Sequence, residues 1–435
     1  FLAEMLRMES LRRYPVSCSK CQKDTEEGGI IRCVDCSDGR DLLCVSCCLA
    51  THQTLPFHVV KKWTGRQFSS TTLYTLGLVV QLEHHSCDVC RSPIEGPVEF
   101  MVMHMNRNHI QQLLRFQLYL ATITNPTTCA TFRIMETFHL LTLQSKILAY
   151  DYYMTLNHLM DNMEISIKWD RIKQLMHMVH EWRHLKMLKH AGRGHEEGGT
   201  LTTRPGELCV LCPVCPHPDE NLPEGWQDTA DDLKYIYTMI IAIDANFHLK
   251  QRAISNEQCD PALGSGWGYF VESRPYHEHV LRYADQKDIS TCTGFAAISE
   301  ANTKFFKGYT VTGVGMVVCA RHGFILPNSV GDLQKGERYC NMDYIIAVVL
   351  RLWKLRGEHT PLVLSYDIIC QFAIHFLERL RQFPCHLQVD LPTGLGELRY
   401  AIPKYHFHAH REKDHNQYSL NLMHGVGRVC GEQIE

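Results

Sequence analysis

Residues 309–343 read YTVTGVGMVVCARHGFILPNSVGDLQKGERYCNMD. The first part alternates β-branched and small residues as a strand does, then breaks into Cys319, His322, Asp332, Lys335, Glu337, Arg338 and Asp343. An apolar strand that ends in ionisable side chains is the pattern of a scaffold presenting chemistry at its edge. Two further apolar runs flank it, KYIYTMIIAIDANFHLK (234–250) and TPLVLSYDIICQ (360–371), each expected to be a strand ending in an aspartate, Asp244 and Asp367. FAIHFLERLRQF (372–383) follows the second with the spacing of an amphipathic helix.

A carboxylate at the end of a buried strand is costly unless it is solvated, paired or bound to metal. Taken alone, such an aspartate is more often a turn residue or a helix cap. Two of them with a late glutamate are what a two-metal phosphoryl-transfer site requires, in which carboxylates hold a pair of Mg²⁺ or Mn²⁺ ions about 3.5–4 Å apart.

The 435 residues allow two or three domains. With 45% hydrophobic and 21% charged residues, the composition is that of a globular protein. No apolar run reaches the roughly 18–20 residues of a membrane span, and no signal peptide is visible, so no membrane partner is expected. The net charge of −3 excludes a global electrostatic argument for nucleic acid, and any DNA contact has to come from local patches. The outliers are 20 cysteines beside 26 histidines. Without a secretory signal they point to Zn²⁺ rather than disulfides.

Residues 18–58, CSKCQKDTEEGGIIRCVDCSDGRDLLCVSCCLATHQTLPFH, carry three Cys-x2-Cys pairs and two histidines. Each pair is half of a tetrahedral zinc site. Their interleaving predicts a cross-brace, with Cys18, Cys21, Cys44 and Cys47 on one zinc and Cys33, Cys36, His52 and His58 on the other. Cys48 is an alternative to Cys47 that spacing does not decide. So little apolar sequence needs metal to fold. The pattern is similar to the B-box and ZZ modules, which implies a structural, protein-binding role without catalysis.

Further along, His84, His85, Cys87, Cys90, His104 and His109 form a weaker candidate metal group, for which exposed helix histidines are the competing reading. Residues 110–190 have helical periodicity, and their Met and aromatic stripes read as packing faces. Gly, Pro and charge mark residues 191–232 as a linker whose loop CPVCPHPDENLPEGW, with the preceding Cys209, offers Cys209, Cys212 and Cys215 as metal ligands. No fourth ligand is evident there beyond His217.

DANFHLK (244–250), STCTGFAAISEANTKF (290–305), the run from Thr312 to Tyr344, SYDIICQ (365–371), PKYHFHAH (403–410) and GVGRVCGEQIE (425–435) resemble, in order and spacing, the KDZ (Kyakuja–Dileera–Zisupton) transposases. The loop 212–226 is similar to the segment before that family's catalytic domain, and the amino-terminal region resembles its accompanying cysteine-cluster domain. The resemblance implies an α/β ribonuclease-H-like fold of the DDE type over 233–435. Before it come a cross-brace zinc module over 1–65, the rest of the cysteine-cluster region with helices over 66–190, and the linker. It implies Asp244 and Asp367 as the first two catalytic acids, with Glu432 or Glu435 as the third. Cys319 and His322 match a Cys-x2-His motif that supports the site. The implied function is excision and insertion of a mobile DNA element in the nucleus, with DNA as partner, Mg²⁺ or Mn²⁺ as catalytic cofactor, structural Zn²⁺, and a homo-oligomer to join two element ends.

Two departures stand out. Where the family follows its H-x-N-G-x-H segment with Phe-Cys-x-Cys, this chain has Phe116, Gln117, Leu118 and Tyr119. The chain also ends at Glu435, in a stretch expected to begin a helix and to be truncated before the family's Arg and Trp. An inactive or domesticated remnant acting as a zinc-dependent DNA- or protein-binding scaffold is therefore one alternative. Another is a metallohydrolase on YHFHAHREKDH, where a strand would place His406, His408 and His410 on one face.

Overall fold

The computed structural model describes residues 17–24, 29–36, 41–79, 113–114, 117–122, 128–160, 170–218, 220–252, 261–283, 309–334, 336–355, 360–388, 398–410 and 413–434. The chain divides into two compact units, Phe1–Met178 and Val179–Glu435.

In the first unit, β1 (Ile30–Cys33), β2 (Leu42–Cys44), β3 (Val60–Trp63) and β4 (Phe68–Thr71) form an antiparallel sheet of order β2-β1-β3-β4. Helix α1 (Val45–His52) follows β2 directly. The core under this sheet is little more than Ile31, Leu43, Val60, Leu73 and Leu78, together with Cys18, Cys33 and Cys48. A core this small needs a further constraint.

Leu118–Leu120 (β5) pairs antiparallel with Cys129–Thr131 (β6), so the helical expectation from residue 110 does not hold there. Gln117 and Tyr119 stand where the family has the cysteines of Cys-x-Cys, and Leu118 and Tyr119 are buried strand residues. The helical reading does hold for α2 (Phe132–Gln144), α3 (Ala149–Met160) and α4 (Ile172–His190). Thr131 caps α2 by accepting from the Ile134 amide, and Met135 and Phe138 are its buried face.

The second unit is built on a five-stranded mixed sheet of order β11-β10-β7-β12-β13. Its strands are β7 (Met239–Asn246), β10 (Gly313–Cys319), β11 (Ile325–Leu333), β12 (Leu362–Ser365) and β13 (Arg399–Ala401). The first three in chain order pair antiparallel, and β12 and β13 add in parallel. A short pair, β8 (Gln251–Arg252) with β9 (Tyr309–Val311), lies beside them in sequence. The strand expected from residue 234 begins only at Met239, because 234–237 form a 3-10 turn. It runs past Asp244 to Asn246.

Period-two alternation sorts the side chains of this sheet onto two faces. Ile241, Ile243, Leu362 and Leu364 join one core, and Ile240, Ala242, Val363 and Ala401 the other. The first face is covered by α6 (Tyr339–Leu355), α7 (Ile369–Phe372) and α8 (Phe376–Arg381), which bring Ile345, Ile346, Phe372 and Phe376. An upstream helix, α5 (Ser273–Arg282), adds Tyr276. The second face is covered by Leu420, Val426, Val429 and Ile434. Two glycines let α6 lie close to the sheet. A Cβ on Gly315 would stand 2.7 Å from Met342 Sδ, and one on Gly331 2.8 Å from Ile345 Cδ1.

Of the expected amphipathic helix 372–383, only Phe376–Arg381 (α8) is helical, and Phe372 closes the preceding short helix α7. Arg379 of α8 is clamped by the buried Asp343 of α6, with Nε–Oδ2 at 2.6 Å and Nη2–Oδ1 at 3.0 Å. Its guanidinium lies over the rings of Tyr339 and Phe372. Asp343 is thus a packing residue rather than part of a reactive cluster.

Candidate functional site

Parallel pairing of β7 with β12 sets the first two acids side by side. Ala242 is opposite Ser365, so two residues further along each chain come Asp244 and Asp367. Each carboxylate accepts from the next backbone amide, Asp244 Oδ1 from Ala245 N and Asp367 Oδ1 from Ile368 N, both at 2.7 Å. These bonds orient the side chains at the end of the sheet.

The third carboxylate that converges on them is Glu337, from the turn between β11 and α6. One oxygen of each of Asp244, Glu337 and Asp367 lies within 4.8 Å of the others. The Tyr366 hydroxyl donates to Glu337. Burial first, then repulsion from Asp367 and Asp244, pushes the Glu337 carboxyl well above the usual carboxylate range. Burial likewise raises the Tyr366 phenol, with the charges of Glu337 and Asp367 adding to it.

Glu432 is placed elsewhere. Its carboxylate accepts from the Tyr405 amide at 2.7 Å and lies 3.6 Å from His406 Nε2. Residues 431–434 are turn and coil rather than the start of a helix, so helical spacing does not relate Glu432 to Glu435. Gln433 instead donates to the Ala320 carbonyl and Ile434 accepts from Asn246, which lays this stretch along the sheet. Glu435 lies outside the described residues.

A second group joins two half-sites more than a hundred residues apart. Cys212 and Cys215 of the linker loop meet Cys319 and His322 at the end of β10. The separations are 3.3 Å for Cys212 Sγ–His322 Nδ1, 3.1 Å for Cys215 Sγ–Cys319 Sγ and 3.4 Å for Cys319 Sγ–His322 Nδ1. With Zn–S and Zn–N bonds of about 2.3 and 2.0–2.1 Å, tetrahedral ligand edges are about 3.4–3.8 Å, close to these values. Contact with Cys215 first, and then the amides of His322 and Arg321, lower the Cys319 thiol to about 5 against the opposing effect of burial. His217 is not the fourth ligand, since its Nε2 is 2.9 Å from the Cys212 carbonyl and donates to it. Cys209 is outside the group as well. The signal in the sequence was two incomplete pairs, one Cys-x2-Cys and one Cys-x2-His.

In the first unit the interleaved pairing is present in space. Cys18, Cys21, Cys44 and Cys47 form one group, and Cys33, Cys36, His52 and His58 another. Cys36 Sγ is 3.6 Å from His52 Nε2 and 3.2 Å from His58 Nδ1. His52 Nδ1 donates to the Cys48 carbonyl at 2.8 Å, which fixes the tautomer and leaves Nε2 for a metal. Cys48 is fully buried behind the group, and burial pushes its thiol up to about 11. Cys47, and not Cys48, stands in the first group. His84, His85, Cys87, Cys90, His104 and His109 lie outside the described residues.

The alternating histidines do not share a strand face. Residues 404–407 form a short helix, α9, with His406 beside Glu432 and His408 exposed. No described helix is long and apolar enough to cross a membrane.

Residues 237–435 match the Kyakuja-Dileera-Zisupton transposase family, and residues 106–164 match a CxC2-like cysteine cluster associated with KDZ transposases. No curated protein and no solved structure matches the chain.

Proposed function

We propose that the chain, whose residues 237–435 match the Kyakuja-Dileera-Zisupton transposase family, excises and inserts a mobile DNA element by cleaving and rejoining phosphodiester bonds at Asp244, Asp367 and Glu337. The observation that carries this reading is the register that sets Asp244 beside Asp367 with Glu337 converging on both. Three antiparallel strands followed by two parallel ones support a ribonuclease-H-like catalytic domain over 233–435.

Three carboxylates are the hard oxygen donor set that suits Mg²⁺ or Mn²⁺. Burial first, and then the charges of Asp367 and Asp244, raise the Glu337 carboxyl, and a divalent cation would relieve the repulsion among the three. Bound there, such cations supply Lewis acidity to the attacking and leaving oxygens of an in-line displacement. Asp244 and Asp367 are held in place by their own backbone amides. Tyr366 holds Glu337, so the donors are fixed before DNA arrives. No side chain is needed as a covalent nucleophile. Water serves in cleavage, and the freed 3′-hydroxyl serves in strand transfer.

The three cysteine-rich groups act as structural Zn²⁺ sites, two in a module over 1–65 and one bracing β10 against the linker loop. Action on DNA in the nucleus follows from this role, and joining two element ends calls for at least two copies of the chain.

The test is Mg²⁺- or Mn²⁺-dependent strand cleavage of the element's terminal DNA. Asp244→Asn and Asp367→Asn are expected to abolish cleavage. Unchanged cleavage in both would sink the reading, and a parent chain that binds this DNA without cutting it would favour the scaffold alternative.

A further inference from the structure

Cys370, His410 and His415 form a group that neither the acidic site nor the three cysteine-rich groups use. Cys370 lies in α7, three residues after Asp367. His410 follows α9, and His415 lies in the 3-10 turn Lys413–Tyr418. One ligand atom from each comes within 4.8 Å of the other two.

We propose that these three side chains bind a Zn²⁺ ion. The Sγ of Cys370 is 3.7 Å from His410 Nδ1, against about 3.5 Å for a sulfur–nitrogen edge of a tetrahedral zinc site. The rings of His410 and His415 are 4.9 Å apart between centroids and inclined at 89°, so the two imidazoles meet edge to face beside the thiol. Cys370 and His415 are buried and His410 half-buried. A thiol and two imidazoles gathered away from water are a softer donor set than the carboxylates near by, which selects zinc over Mg²⁺. Three protein donors leave one coordination position for water.

The elements that meet are informative. α7 begins almost directly after Asp367, and the segment bearing His415 is tied to the sheet by the Ile402–Ser419 bridge next to β13. Zinc at this point fastens the chain that leaves the second acid to the far edge of the same sheet. The inference needs only these three residues and stands whether or not the acidic site cuts DNA.

The experiment is anomalous diffraction at the zinc edge on crystals of the unaltered full chain, prepared with zinc in the medium. A peak between Cys370 Sγ and the two imidazoles is expected, and its absence would overturn the proposal. In solution, elemental analysis of Cys370→Ser is expected to give one zinc per chain fewer than the parent. Equal zinc in the two would also count against the site. Should the serine variant not fold, the diffraction result on the unaltered chain decides alone.

Discussion

Replacing Glu337 with Gln separates the acidic site's function from its stability. The substitution keeps the shape of the side chain and removes one of three carboxyls whose oxygens lie within 4.8 Å of one another. Two unit negative charges at that distance repel by about 3.5 kcal/mol at an effective dielectric near 20, and Glu337 faces two such neighbours. With its carboxyl raised, the folded state binds more protons than the unfolded state, so this group's contribution is fully present below the unfolded carboxylate pKa and is lost as pH rises through the folded one. The metal-free parent is therefore expected to lose stability as pH rises above the ordinary carboxylate range, and E337Q to lose less. A divalent ion inverts the comparison. At ten times its Kd, Mg²⁺ stabilises the parent by about 1.4 kcal/mol, and each 1 kcal/mol shifts the Tm of a domain this size by about 2–4 °C. E337Q is expected to lose most of that shift together with strand cleavage. The assay is a set of thermal melts with and without Mg²⁺ across pH, run beside cleavage of the element end. If E337Q keeps both the Mg²⁺ shift and cleavage while Glu432→Gln loses them, the third carboxylate is Glu432 and the reasoning from convergence is wrong.

Packing and titration yield three further expectations. Gly315→Val drives a side chain into Met342 and Ile345 of α6 and should destabilise by about 1–3 kcal/mol in denaturant melts, with part recovered by adding Met342→Ala. Arg379→Ala removes the guanidinium that clamps the buried Asp343 and should cost about 3–5 kcal/mol, whereas the double variant with Asp343→Asn should cost less than the sum. His279 stacks on Phe383 and is lowered to about 4 by burial, so it stays neutral in the fold while the unfolded chain takes up a proton below about 6.5. Stability is expected to fall by roughly 2 kcal/mol from pH 7.5 to pH 5 on this account, and His279→Phe should flatten the slope relative to the parent. Equal slopes in the two chains would remove His279 as the cause.

What could be read from the sequence follows from how local each feature is. Cys-x2-Cys pairs and β-branched alternation are written within a few residues, so the interleaved cysteine groups, apart from the choice between Cys47 and Cys48, and the strands under Asp244 and Asp367 are legible in the sequence. Cys319 and His322 were visible as a motif, but their partners lie in a loop more than a hundred residues earlier, and only the antiparallel turn of β10 brings the two halves together. Glu337 stands in the opening stretch, yet its convergence on Asp244 and Asp367 is not written in its local sequence. A residue in a turn carries no periodicity to show which way it points. Its direction is set by where α6 lands, and that depends on Gly315 and Gly331 giving Met342 and Ile345 room against the sheet. Two glycines in the strands therefore help decide where a carboxylate five residues before Met342 stands. In the same way, His410 and His415 meet Cys370 only because the chain turns into a short helix at 404–407 instead of continuing as the strand that alternating histidines suggested.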